Sequence, residues 1–143
     1  MDTIERDALT FTFRRTLSAT PDEVFDAWTR PELVARWWDP SGTPLAACSV
    51  DLRVGGAFRF DNDGHGPPFV GVYRVVERPG RLVFDANGAH GTVTIEPSGG
   101  RTELQVTIRC PSGEHFATFR AVGVGENTGR TLDNLVQLFV VTR

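Results

Sequence analysis

No Lys/Arg-rich run occurs in the 143 residues and the formal net charge is −3, so the chain has no surface built to neutralise phosphates. Nucleic acid is therefore not an expected partner. The apolar stretches are short and interrupted, and none spans a bilayer. The first residues, Met1-Asp-Thr-Ile-Glu-Arg-Asp7, lack a secretory hydrophobic region, so a cytoplasmic location is expected. There are only two cysteines, Cys48 and Cys110, far apart and without CxxC spacing, and both are expected as free, buried thiols. His65, His90 and His115 are scattered, without the His-x-x-x-His or Cys/His spacing a zinc site needs. No Gly-x-Ser-x-Gly elbow exists: Ser112 lies in Cys110-Pro-Ser-Gly-Glu114, a turn. These absences leave no expected metal, no cofactor and no convincing catalytic set.

Two motifs offer chemistry and do not sustain it. Gly123-x-Gly125-x-x-x-Gly129 precedes a helix, but its third glycine is one residue late for a dinucleotide fingerprint and no βαβ unit surrounds it. Asp61-Asn-Asp63-Gly64-His65 lacks the further carboxylates and closing glutamate of a calcium loop, and reads as a hairpin turn. Cys110 and His115 are five residues apart, which is no evidence of a thiolate–imidazole pair.

What is present is a well-marked order of elements. Hydrophobic content of 40% and charge of 23% fit an ordinary globular chain, and residues 1–143 read as one domain by size. Residues 9–17 alternate as a strand. Thr20-Pro21-Asp22-Glu23 is a capping-box helix start, with Val24, Ala27 and Trp28 on one apolar face. Pro31 opens a second short helix that ends at Asp39-Pro40. Six strands follow, at 44–52, 56–63, 68–78, 81–87, 90–97 and 101–110. A two-residue turn at Pro79-Gly80 would set Arg78 opposite Arg81, Val76 opposite Val83 and Arg74 opposite Asp85, turning Tyr73, Val75, Leu82, Phe84 and Ala86 inward. Ser98-Gly99-Gly100 joins Val93 and Ile95 to Leu104, Val106 and Ile108, and directs Cys110 inward. Phe58 and Phe60 also face in, whereas His90 shares the solvent face with Thr92 and Thr94.

Leu132, Leu135, Val136 and Phe139 form one stripe of a C-terminal amphipathic helix. Runs of strands followed by a helix predict an α+β fold, a seven-stranded antiparallel sheet curled around that helix. Towards its start the stripe passes through Gly125 and Thr128, beside Gly129. Small residues there either let backbones approach or leave a hollow. A hollow is expected, because the facing sheet supplies large aromatics.

Three kinds of side chain stand out against this frame. Adjacent indoles on a helix point about 100° apart, so Trp37 and Trp38 cannot both be core, and one is expected to line or lid a cavity entrance. Trp28 is expected in the core. Arg15 shares parity with Phe11, Phe13 and Leu17, and a guanidinium turned inward needs a carboxylate, for which Glu77 is a candidate. His115, in the loop before the last helix, is a candidate for the cavity mouth.

The order and spacing of Arg15-Thr-Leu-Ser-Ala19, Pro21-x-x-Val24-Phe25-x-Ala27-Trp28-Thr29-x-Pro31-Glu32, Arg36-Trp37-Trp38, Asp51-x-Arg53-x-Gly55-Gly56, Phe69-x-Gly71 and Pro79-x-Arg81-Leu82-Val83-Phe84 resemble the heat-shock-protein-ATPase-activator-homologue family. That family belongs to the START/polyketide-cyclase (SRPBCC) superfamily, which has the helix-grip fold of the birch-pollen allergen. The resemblance covers about residues 9–140. It implies an elongated cavity for apolar ligands between the sheet and the last helix. The chaperone-binding N-terminal domain of the eukaryotic co-chaperone has no counterpart here, so chaperone binding is not expected. The tryptophan-containing opening of the family's last helix is replaced by Gly123-Val-Gly125-Glu-Asn127.

The expected function is binding or carriage of a small hydrophobic molecule, with Trp37, Trp38, Phe58, Phe60, Tyr73, Phe84, Phe119, Thr128 and Leu132 as the cavity lining. Arg15, Glu77 and His115 are the candidate polar anchors, and Tyr73 is a candidate hydrogen-bond donor. Two other readings stay open. A cyclase- or hydrolase-like enzyme would need an ionisable group inside the cavity. A stress-related or co-chaperone-related interaction module would instead show an exposed apolar patch around the paired tryptophans. Exposed edge strands leave room for a homodimer.

Overall fold

A computed structural model describes residues 2–6, 8–62 and 67–141. Asp63, Gly64 and His65 of the acidic turn lie outside the described residues. The strands are β1 (Thr3–Glu5), β2 (Thr10–Leu17), β3 (Ala47–Val50), β4 (Ala57–Asp61), β5 (Phe69–Glu77), β6 (Arg81–Ala86), β7 (Ala89–Ser98) and β8 (Arg101–Arg109). The helices are α1 (Pro21–Thr29), α2 (Pro31–Trp37), α3 (Gly113–Ala121) and α4 (Val124–Val141). All strands join one curved antiparallel sheet in the order β1-β2-β8-β7-β6-β5-β4-β3, and α4 lies across its concave face. The expected α+β helix grip is the observed fold. Its sheet has eight strands rather than seven, because Thr3, Ile4 and Glu5 pair with Thr12, Phe11 and Thr10 ahead of the first expected strand.

Local chemistry explains the element ends. Thr20 caps α1 through a complete capping box with Glu23, and Pro21 fixes the first helical position. The β7–β8 hairpin closes with Ser98 opposite Arg101, sets Val93 against Val106 and Ile95 against Leu104, and leaves Cys110 2% exposed. That register is the expected one. His90 is exposed as expected, and its Nδ1 lies 2.7 Å from Asp85 Oδ1. Hydrogen bonds from His90 and then Arg74 hold the Asp85 carboxyl below its usual range.

The β5–β6 hairpin departs from the expected register. Its turn takes three residues, Arg78–Gly80, and Glu77 rather than Arg78 stands opposite Arg81. Arg74 then sits in a bulge between Tyr73 and Val75. An extra residue in one strand reverses the facing of everything beyond it. Tyr73 stays inward opposite Phe84, but Val76 replaces Val75 beside Leu82 on the core face. The Arg74–Asp85 ion pair survives at 2.7 Å, reached from the bulge rather than from a directly opposed pair.

A helix was also unforeseen. The segment before α4 forms α3, capped by Ser112, whose hydroxyl accepts from the His115 amide at 3.1 Å. Only Phe116 of this helix is buried. It stacks on Phe11 at 4.9 Å between ring centroids and so fixes α3 to β2. The shared core runs from Phe11, Phe13 and Leu17 through Val24, Phe25 and Trp37 to Leu132 and Leu135 of α4.

Candidate functional site

The hollow lies between α4 and the β5–β8 part of the sheet. It has a volume of about 410 Å³, with Trp38, Phe69, Phe84, Phe119, Thr128 and Leu132 among its walls. Adjoining it is a void of about 10 Å³ bordered by Trp28, Trp38, Phe58, Phe60, Phe69, Tyr73, Leu82 and Phe84. Four of these residues border both spaces, so the void is the inner end of the larger one.

The aromatic floor follows from two cross-strand pairs. Phe58 stands opposite Gly71, and Phe84 opposite Gly91. A methyl group on Gly71 would come within 2.3 Å of the Phe58 ring, and one on Gly91 within 2.5 Å of the Phe84 ring. Each ring therefore lies flat over its glycine, a packing that only a bare backbone permits.

The paired tryptophans divide their roles. Trp37 is 1% exposed, and its indole N–H donates to the Ala27 carbonyl at 2.9 Å, locking α2 to α1. It does not reach the cavity wall. Trp38 packs on Phe60 and Phe69 at 4.8 and 4.9 Å and forms the wall. Thr131 of α4 donates to the Trp38 carbonyl at 3.1 Å, and Asn134 donates to the Asp39 carbonyl at 2.9 Å. The open carbonyls at the end of α2 are thus capped by α4, which orients Trp38. Trp28, 7% exposed, belongs to the core as expected and also borders the cavity.

The small residues of α4 serve two faces. A methyl group at Gly125 would meet Ile4 at 3.0 Å and Phe11 at 3.7 Å, and one at Gly129 would meet Asp2 at 3.3 Å. Both glycines let α4 close against β1 and β2. Thr128 faces the hollow instead.

The three polar anchors lie elsewhere. Glu77 is exposed beyond the bulge and pairs with Arg81 at 3.7 Å. The sheet order also puts β5 four strands from β2, roughly 19 Å away at the usual strand spacing. Glu77 therefore does not serve Arg15. The Arg15 carboxylates are Asp2 at 2.5 Å and Asp133 at 2.9 Å, and Nη2 also donates to the Gly129 carbonyl at 3.2 Å. Arg15 is a strap joining β1, β2 and α4. Its hydrogen bond holds the Asp2 carboxyl below the usual carboxylate range, against some opposing burial.

His115 sits in α3, not in a loop, and is absent from the cavity wall. Its Nε2 lies 2.8 Å from the Asn87 carbonyl, so that nitrogen carries the proton and donates. Its ring lies against Phe119 at 4.3 Å, and Phe119 does line the cavity. His115 thereby ties α3 to the Asn87-Gly88 turn, whose φ values of 52° and 80° suit an Asn-Gly hairpin.

No described side chain lining the 410 Å³ cavity is ionisable. Burial, and secondarily Glu32, pushes the Cys48 thiol up to about 11, while burial raises that of Cys110. Burial likewise raises the Tyr73 phenol, so it keeps its proton. Among the described residues no group of three His, Cys, Asp or Glu could hold a metal ion, and no helix is long and apolar enough to cross a membrane.

The model of the family described as Activator of Hsp90 ATPase homolog 1-like protein matches residues 18–140. The chain belongs to this family. No curated protein matches it. Among solved structures it is similar to a protein from Rhodobacter sphaeroides, with a TM-score of 0.84 and 24% identity over 95% of each chain. A protein from Nitrosomonas europaea gives a TM-score of 0.83 at 21% identity, over 96% of this chain and 97% of that one. A protein from Mycobacterium smegmatis gives 0.83 at 18% identity, over 100% and 98%. These likenesses show the fold. The activator-homologue frame accounts for the grip of sheet on helix, and the aromatic-over-glycine floor and the Trp38 wall are the features of this chain that shape its hollow.

Proposed function

We propose that this chain binds a small apolar molecule in the chamber between α4 and the sheet, and carries or presents it without acid–base chemistry. The observation that carries the reading is the chamber itself: about 410 Å³, walled by aromatic and aliphatic groups, with no ionisable described side chain. Spaces of roughly 300–1,000 Å³ with mostly apolar walls and a few polar groups are the usual form of small-molecule sites.

Two placements weaken the enzyme reading. Glu77 is on the outside, and His115, whose Nε2 is engaged by the Asn87 carbonyl, does not line the chamber. The interaction-module reading calls for an exposed apolar patch around the paired tryptophans in place of a pocket, whereas Trp37 is buried, Trp38 is half-buried and a pocket adjoins it.

The test is titration of the protein with N-phenylnaphthylamine, an uncharged probe that fluoresces in apolar surroundings. Saturable one-to-one binding is expected, with quenching of tryptophan emission through Trp38 and Trp28. Absence of saturation, or saturation that leaves tryptophan emission unchanged, would sink the proposal.

A further inference from the structure

The inner end of the chamber carries an unmet polar demand. The Trp28 indole Nε1 is buried and has no hydrogen-bond partner. Trp28 is 7% exposed, and it borders both the main cavity and the inner void. An indole N–H can only donate. Leaving such a donor buried and unpaired forfeits its hydrogen bond to water without replacement, which is why native structures seldom leave one.

The polar side-chain groups bordering the void are the indoles of Trp28 and Trp38 and the phenol of Tyr73. All three can donate, and the Tyr73 phenol, which burial keeps protonated, is the one among them that can also accept, yet it makes no hydrogen bond with the Trp28 indole. What the void lacks is an acceptor in reach of the Trp28 N–H. Its volume of about 10 Å³ is close to the minimum, roughly 10–15 Å³, that holds one water-sized oxygen. The rings of Phe69, Phe84 and Trp38, which border both spaces, touch one another at centroid distances of 4.9 and 6.5 Å and are turned by 38° and 89°, so they form one aromatic wall beside the void. The described walls bring no charge to neutralise an ion, and an unpaired buried ion is prohibitively costly.

We infer that the molecule held here is an uncharged, mostly apolar compound whose leading end bears a hydrogen-bond acceptor, a carbonyl or ether oxygen, that takes the Trp28 indole N–H. The inference rests on the proposed binding function and adds the chemical class of ligand. Its apolar body lies in the main cavity against the wall of Phe69, Phe84 and Trp38. The oxygen enters the void. Any polar tail points back to the mouth, where Asn87, Asn127 and Thr128 border the cavity.

The experiment compares three probes by titration calorimetry: α-tetralone, tetralin, which lacks only the oxygen, and naphthalene carboxylate, which is charged. Each is run on the wild type, Trp28→Phe and Tyr73→Phe. Trp28→Phe should weaken α-tetralone about 5- to 10-fold more than it weakens tetralin, the size of one hydrogen bond isolated by a double difference. Tyr73→Phe should reduce the same ratio by a smaller factor, and naphthalene carboxylate should bind the wild type at least about 100-fold more weakly than α-tetralone.

A second measurement needs no variant. With isotope-labelled tryptophan, one of the three indole N–H signals should move downfield with α-tetralone and stay in place with tetralin. If both neutral probes bind but the ratio and the indole signals do not respond, the acceptor inference is overturned and the binding function stands. Tight binding of the carboxylate overturns the claim of neutrality. If no probe binds saturably, the binding function falls and this inference with it.

Discussion

Replacing Thr128 by leucine distinguishes a hollow from a close-packed helix face. Thr128 is half-buried on α4 and borders the 410 Å³ chamber, one residue before Gly129, which is turned by about 100° towards Asp2 and Arg15. A leucine at this position would extend into the space between Phe119, Leu132 and the sheet. It adds about 40–50 Å² of buried apolar area, worth about 1 kcal/mol at the usual coefficient. Exchanging a β-branched residue for leucine in a helix contributes about another 0.5 kcal/mol. The sum, about 1–2 kcal/mol of stabilisation, should raise Tm by about 3–6 °C for a chain of this size. Urea unfolding should show the same gain as a higher midpoint with unchanged slope. The same side chain occupies ligand space, so N-phenylnaphthylamine should bind at least about 10-fold more weakly. A loss of more than about 1 kcal/mol would refute the reasoning, since overpacking costs that much only where no room exists. A stabilised variant with undiminished probe binding would equally refute it, by placing the probe outside the chamber.

The other predictions use the same structure. Trp37→Phe should destabilise by about 2–4 kcal/mol through a lost buried hydrogen bond and a new void, whereas Trp38→Phe should cost under about 1.5 kcal/mol and fall mainly on probe affinity. Equal stability losses in chemical denaturation would contradict that division. Gly71→Ala should cost more than Gly91→Ala, about 2–4 against about 1–2 kcal/mol, because the added methyl meets the Asp85 backbone carbonyl at 2.7 Å as well as the Phe58 ring, while at Gly91 its three nearest neighbours are all atoms of the Phe84 ring. Gly91→Ala should also weaken probe binding by driving that ring into the chamber, and an unchanged dissociation constant would count against the floor described. For pH, Asp2 has a depressed folded pKa, so its contribution is present above its unfolded value of about 3.9 and is lost as pH falls through the folded one. Arg15→Gln should therefore cost about 0.5–1 kcal/mol at neutral pH, a modest figure for partly exposed partners, and the gap to wild type should narrow below about pH 4. A gap that widens in acid would exclude the strap.

The elements legible in the sequence are those whose signals are local. Thr20 to Glu23 states a helix start within four residues, and Ser98-Gly99-Gly100 sets a hairpin whose apolar alternation leaves one register. The β5–β6 hairpin misled because Arg74 is an extra residue, and a bulge carries no distinctive sequence mark in Tyr73-Arg-Val-Val-Glu77. That one residue reversed the facing of Val75, Val76 and Glu77, and took the Arg15–Glu77 pairing with it. Helix α3 was hidden because Phe116 is its sole buried residue, too little for a stripe; Ser112 as a cap before Glu114 and His115 was the available signal. The glycines of α4 posed an open choice between close approach and hollow. Both outcomes occur, on adjoining flanks of one helix face, and only tertiary placement separates Gly125 and Gly129 from Thr128.

That division explains how a helix gripped by a sheet can leave room at all. A helix of large side chains on both flanks would stand off the sheet evenly and fill the gap between. Here the two glycines let α4 close against Phe11 and the Arg15 strap at the β1–β2 edge. On the adjoining flank of the same helix face, Thr128, Thr131 and Leu132 face the rings of β5 and β6 over a gap they do not fill. The β5–β6 side cannot close the gap either, because its rings are committed to their glycines and to each other. Trp38 is held from below by Phe60 and Phe69 and from above by Thr131 through its carbonyl. Trp37 is needed for this arrangement without touching the chamber: by binding Ala27 it fixes the pitch of α2, and the neighbouring indole is then directed at the opening. Adjacent tryptophans at the end of a seven-residue helix, one its last residue and the other its C-cap, thus do separate work, the first anchoring the helix and the second using that anchor to form a wall.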